Sequence, residues 1–184
     1  EVCARRLWGC QWGEPHQETF LKPTPTSLSQ FGLTGALSEE GQTLVVGGPM
    51  ASQIGVGINP PIGTNMSPRS GAAFIFRRQG TSWAQEALFK ASNAQPWTEF
   101  GAAVAISADG RTVAVGEPRE KSNAVGVNGN QDDVSLMNAG AVYIFEHQTS
   151  GWVQSAYVKA TNTDADDLFG TALALSGDGQ TLAV

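Results

Sequence analysis

The chain has 184 residues, enough for a domain with its own core, and carries a net charge of −6 with a pI near 4.8. That balance sets nucleic acid aside as a partner, because nucleic-acid binders gather Lys and Arg on one face. Charged residues are only 15% and Gly numbers 22, which suits an all-β chain of short strands and many turns; no run approaches the ~18 apolar residues of a membrane span.

In chain order, residues 1 to 16 resemble nothing else in the sequence and are left unassigned. They hold Trp8, Trp12 and both cysteines, Cys3 and Cys10. With only His16 nearby, these supply too few ligands for a zinc site. Whether Cys3 and Cys10 pair is open. Residues 17 to 30 read as the tail of an earlier repeat, since Gln17 to Lys22 resembles Gln85 to Lys90.

At residue 31 a repeat begins. Phe31-Gly32 recurs as Phe100-Gly101 and Phe169-Gly170, at steps of 100 − 31 = 69 and 169 − 100 = 69. Ser38-Glu-Glu-Gly41 becomes Ser107-Ala-Asp-Gly110 and Ser176-Gly-Asp-Gly179. Gly71 to Phe76 becomes Gly140 to Phe145, Trp83 becomes Trp152, and Lys90 becomes Lys159. The units are therefore 31–99, 100–168 and the start of a third at 169–184.

Within one unit the pattern is that of strands. Ala102 to Ser107 alternates, with Val104 and Ile106 on one face and Ala103 and Ala105 on the other, and Val113 and Val115 continue it. Between them Asp109-Gly110, repeated as Asp178-Gly179, forms a tight turn in which Ser and Asp side chains bond the local backbone. Ala141 to Phe145 is a third strand and Trp152 to Lys159 a fourth. Four short strands per 69 residues are the content of one β-propeller blade. Phe31, Phe100 and Phe169 are expected to fill gaps between blades. The glycines after them, Gly32, Gly101 and Gly170, would allow close backbone approach or a bulge. Ala103, Ala105, Ala172 and Ala174 are expected to be small residues where blades converge.

The residues offer little for catalysis. Only His16 and His147 could act as imidazole bases, and His147 is expected in a solvated turn between the third and fourth strands. No phosphate-binding loop, dinucleotide fingerprint or metalloprotease helix is present. Ser107 to Thr112 resembles the Asp-box turn of sialidase propellers but is one residue short, and the arginines (Arg77, Arg78, Arg111, Arg119) do not recur as a cluster. Asp164, Asp166 and Asp167 would offer oxygen ligands to calcium, although solvated loop charge is favoured. Asn123, Asn128, Asn130, Asp132 and Asp133 form a second such candidate. Asn65-Met-Ser67 fits the glycosylation pattern and is read as accidental.

Phe100-Gly101, Val115-Gly116-Glu117-Pro118 and Gly140-Ala-Val-Tyr-Ile-Phe145, in this order, resemble the FG-GAP repeat of the integrin-type propeller family, with bacterial surface and secreted proteins particularly similar. With its neighbouring units the likeness covers residues 17 to 184. It implies a β-propeller fragment of four-stranded antiparallel blades with no enzymatic activity. It further implies an extracellular or cell-surface adhesion scaffold, whose long loops 50–70 and 119–138 form one variable rim that meets a protein or glycan. An accessory propeller beside a hydrolase domain and a purely architectural module are the alternatives. The integrin calcium loop does not carry over, because Ser107-Ala-Asp-Gly110 is too short and has one carboxylate. Closed propellers use ~4 to 8 blades, so further blades are expected to close the ring, and two isolated blades are expected to be aggregation-prone.

Overall fold

Why the strands fall where they do follows from the turn chemistry and from the alternation of side chains. The computed structural model describes residues 19–25, 30–53, 55–61 and 66–184. Cys3, Cys10, Trp8, Trp12, His16, Gln17 and Asn65 lie outside them. Strands β1 (Thr34–Leu37), β2 (Thr43–Gly48), β3 (Ala72–Gln79) and β4 (Ser82–Phe89) form one antiparallel sheet in that order. A second is formed by β5 (Ala103–Ile106), β6 (Thr112–Glu117), β7 (Ala141–Gln148) and β8 (Gly151–Val158). The short strands β9 (Ala174–Leu175) and β10 (Leu182–Ala183) pair as a hairpin. The described residues contain no helix. The chain is all-β, and its four-stranded antiparallel sheets are those of propeller blades.

The second sheet repeats the first residue for residue. Equivalent strands begin 69 apart (103 − 34, 112 − 43, 141 − 72, 151 − 82). Thr34 faces Gly47 as Ala103 faces Gly116, and each third strand slips register once, between Ile75 and Phe76 and between Ile144 and Phe145. The irregularity thus lies between the third and fourth strands, where Glu86 and Ser155 are the extra residues, rather than beside the Phe-Gly pair. At the Phe-Gly pair the glycine serves close approach. Gly101 has φ +90, and a Cβ there would lie 2.3 Å from the carbonyl oxygen of Ala72, so no other residue fits without moving backbone.

The turns work as expected. Ser107 Oγ donates to Asp109 Oδ1 at 2.6 Å and accepts from the Thr112 amide at 2.9 Å, while Asp109 Oδ1 accepts from the Arg111 amide at 3.0 Å. Ser176 and Asp178 repeat the arrangement. These bonds hold the Asp109 carboxyl below the usual range, the Ser107 hydroxyl contributing most. In the first unit Glu40 stands where Asp109 does, and only the serine bonds to the Gln42 and Thr43 amides remain.

The first strands of successive units lie together. Thr34 Oγ1 donates to Gly101 O at 3.0 Å, the Glu39 amide donates to Ala108 O at 3.0 Å, and one repeat later the Ala108 amide donates to Gly177 O at 2.8 Å. Each sheet has a bulky face and a lighter one. The bulky face of the second sheet (Val113, Val115, Tyr143, Phe145, Tyr157) packs on Val45, Ala73, Ile75, Ala87 and Phe89 of the first. Its opposite face, with Ala105, Ala114 and Val142, receives Leu173, Leu175 and Leu182. Phe100 is fully buried in the joint core, edge-on to Tyr143 and Phe145, and Phe31 meets Phe74 and Phe76 in the same way. Such burial is worth about 2–3 kcal/mol for one Phe. Phe169 is half-buried against the second sheet's lighter face. Leu21 sits on the bulky face of the first sheet, the place that Phe89, its match at a step of 68, takes on the second.

Two expectations need correcting. His147 lies inside β7 opposite Trp152, half-buried, because the strand runs three residues past Phe145 before the turn. Ala103 and Ala105 are buried as expected, whereas Ala172 and Ala174 are exposed, since no described residue covers them.

Candidate functional site

Antiparallel order puts the β2–β3 and β4–β5 connections of the first unit, with β6–β7 and β8–β9 of the second, at one end of the sheets. The tight turns occupy the other. At the turn end a cleft of about 530 Å³ is lined by Arg77, Glu86, Asp109, Arg111 and His147. Its cations are committed. Arg77 bonds Glu86 at 2.9 Å and Thr43 at 3.0 Å, His147 Nε2 lies 3.2 Å from Glu86, and Arg111 donates to His147 O at 3.1 Å. Glu86 thereby ties the first sheet to the second.

The loop end is built differently. Loops 50–70 and 119–138, expected to differ strongly, share a hidden anchor. Val56-Gly57-Ile58-Asn59 recurs as Val125-Gly126-Val127-Asn128. The Asn59 amide donates to Leu88 O and its Oδ1 accepts from the Leu88 amide, both at 2.8 Å. Asn128 clasps Tyr157 likewise, at 2.7 and 2.9 Å. Both asparagines are in the left-handed region (φ 49 and 56), which Asn tolerates better than most residues. The signal is present in the sequence as this four-residue repeat, whereas Asn128 taken by itself reads as a calcium-ligand candidate. The loops are also not wholly exposed, for Glu120, Ser122 and Ala124 turn inward.

Beneath the loops lies a buried polar cluster. Lys159 Nζ pairs with Glu120 Oε2 at 2.8 Å, with both side chains almost fully buried. Lys90 Nζ donates to Ser70 Oγ at 2.6 Å and Gly71 O at 2.5 Å. Ser122 Oγ and the Tyr157 hydroxyl are 2.9 Å apart. Tyr143's hydroxyl lies 2.5 Å from Asn93 Oδ1 and 2.6 Å from Glu117 Oε2. Asn93 Nδ2 donates to Glu120 Oε1 and Gln131 O, each at 3.0 Å, so its Oδ1 must be the acceptor toward Tyr143. One phenol proton cannot serve two acceptors. Both contacts are satisfied when Glu117 is protonated and donates to the phenol oxygen. Glu117 Oε1 has no hydrogen-bond donor, the nearby Thr98 hydroxyl donating to Gln95 O at 2.8 Å, which a neutral carboxyl tolerates better than a buried anion. Burial acts in the same sense, pushing Glu117 up to about 8 and pulling Lys90 down to about 8. In the first unit the equivalent positions are Gly48, Ala51, Gln53, Phe74 and Leu88, so the cluster is particular to this junction. Glu117, Lys90 and Tyr143 are at most 1% exposed. In this structure the cluster orders the junction and has no surface from which to meet a substrate.

The candidate carboxylates are placed as turn fasteners. Asp167 Oδ2 accepts from the Asp164 amide at 2.7 Å, Asp164 Oδ1 from the Ala165 amide at 2.8 Å, and Asp166 Oδ1 from Asn138 Nδ2 at 2.8 Å. Asp133 Oδ1 accepts from the Asn123 and Ser135 amides, and Asn130 from the Asp132 amide. Among the described residues no three His, Cys, Asp or Glu side chains converge as a metal site, and no helix is long and apolar enough to cross a membrane. Trp83 and Trp152 lie in β4 and β8, with Arg78 over the first ring at 6.0 Å and His147 edge-on to the second at 5.0 Å. Gly71 and Gly140 bridge to Phe100 and Phe169.

At the rim itself the exposed side chains include Val56, Val125, Val127, Met137 and Trp97. Arg69 and Arg119 both reach Glu99, at 3.2 Å each. Residues 83–145, from β4 through most of β7, match the family model described as FG-GAP repeat. No curated protein matches the chain. That match spans the second Phe-Gly pair and the Gly-Glu-Pro at the end of β6, so residues 83–145 are similar to an FG-GAP repeat.

Proposed function

We propose that the chain is a non-catalytic blade module of a secreted or cell-surface protein, divided into blades at 31–99 and 100–168, whose loop end recognises a protein or glycan. Further blades complete the ring. One observation carries this reading. The rim loops are clasped to the sheets by equivalent bonds at Asn59 and Asn128, yet the exposed residues at this end of the sheets change between units, Pro68 giving way to Met137 and, in the adjoining connection, Trp97 to Asp166. A rigid frame with changing tips is how scaffolded loops acquire recognition. The turn end, by contrast, repeats its serine bond to the amide five residues on in all three units.

The test is to probe the intact protein on protein and glycan arrays, then to graft the 166–168 sequence onto 97–99 and, separately, to replace the 107–110 turn by 176–179. Binding lost with the loop graft and kept with the turn replacement is expected. Binding that follows the turn, or an array with no ligand, overturns the reading.

A further inference from the structure

Trp97 has φ 67 and is 55% exposed. The left-handed backbone belongs to the repeat, because Asp166, 69 residues on, has φ 62, and Glu99 and Leu168 follow at φ 62 and 52. Asp takes this region with less strain than a bulky aromatic. The fold therefore explains the conformation and not the tryptophan. The turn is pinned to the neighbouring loop, the Trp97 amide donating to Pro68 O at 2.8 Å and the Glu99 amide to Arg69 O at 3.0 Å.

Three loops place charge around the ring. The Arg69 guanidinium lies 5.7 Å from the ring centre. Glu99 holds Arg69 by Nη2 and Arg119 by Nε, both at 3.2 Å, and Lys121 Nζ donates to Pro96 O at 3.2 Å. Each guanidinium has five N–H donors, more than Glu99 engages. Two guanidiniums thus share one carboxylate beside an exposed aromatic residue, with Lys121 held on the same loop at Pro96, on a chain of net charge −6.

We propose that Trp97, Arg69 and Arg119 form a subsite for an acidic sugar, with the pyranose ring on the indole and its carboxylate on the two guanidiniums. The proposal rests on the loop end being a recognition surface. A sugar is favoured over an acidic peptide because it covers the indole and leaves the charged groups partly in water. A broad dry protein interface would instead desolvate three cations and a carboxylate together.

The experiment is calorimetric titration of the intact protein with trigalacturonic acid, its neutral methyl ester and hexa-aspartate. The acid is expected to bind at least tenfold more tightly than the ester and more tightly than the peptide. Trp97→Asp, which installs the residue the next unit uses, should weaken the acid at least tenfold without lowering the melting temperature. Arg119→Gln should weaken it severalfold and remove the preference over the ester. Equal affinity in Trp97→Asp, equal binding of acid and ester, or tighter binding of hexa-aspartate overturns the proposal. So does no binding of any probe; if an array ligand is then still held at the loop end, the broader reading survives alone.

Discussion

Glu117 stands where Gly48 stands one unit earlier, and its proton has a measurable consequence. Its folded value is raised from 4.5 to about 8, so the stabilisation it contributes is fully present below pH 4.5 and is lost as pH rises through about 8. Lys90 is depressed from 10.5 to about 8, so its contribution is present above pH 10.5 and lost as pH falls through about 8. Their opposite slopes together predict a stability trough near pH 8. Glu117→Gln keeps the shape and can donate to the Tyr143 oxygen, and it should flatten the acid limb. The difference from the parent should grow between pH 5 and 8 by at most about 1.4 kcal/mol per pH unit. Denaturant melts across pH read this directly, and parallel curves for parent and variant would contradict it. The sequence shows Glu117 only as one member of the Val115-Gly116-Glu117-Pro118 stretch. Its meaning depends on Asn93 and Lys90 arriving from the neighbouring unit, a contact that spacing does not reveal.

For the elements, the strands and turns were legible because their signals are local. Alternation placed β5 and β6, and Ser-x-Asp-Gly named the turn that its own side chains close. The loops were less so. Loop 119–138 reads in the sequence as a variable rim with candidate calcium ligands, whereas its anchor is a single Asn that bonds Tyr157 of β8. Removing that anchor should be costly. Asn128→Ala leaves the Tyr157 amide without the Oδ1 acceptor and places an alanine at φ 56. The expected destabilisation is ~2–3 kcal/mol, combining an unsatisfied donor with left-handed strain. Asn128→Gly removes the bond and not the conformation, so about half that loss is expected. Urea unfolding of both variants separates the two terms, and an Asn128→Ala midpoint matching the parent would show that the clasp is dispensable.

In the whole molecule, the period of 69 told that units repeat, and the side-chain sizes told that each sheet is covered on both faces. Which bulky face meets which lighter face was not readable, because both faces of a unit are apolar and only the direction of stacking distinguishes them. That stacking makes the two sheets mutually dependent. Val45, Ile75 and Phe89 of the first share one core with Phe100, Val115, Tyr143 and Phe145 of the second, and the stacked Phe89 and Phe145 rings, 4.2 Å apart, join them directly. Opening either sheet alone would expose this core, so the interior strands β2, β3, β6 and β7 should exchange their amides in one slow class. The β9–β10 hairpin is held by half-buried Leu173, Leu175 and Leu182 and by the Ala108–Gly177 bond, with its other face exposed, and should exchange at least a hundredfold faster, equivalent to about 2.7 kcal/mol. Native-state hydrogen exchange distinguishes this from independent sheets. If β2 and β3 fell in a separate class from β6 and β7, the shared core would not be what couples them, and stability would have to be assigned to each sheet by itself.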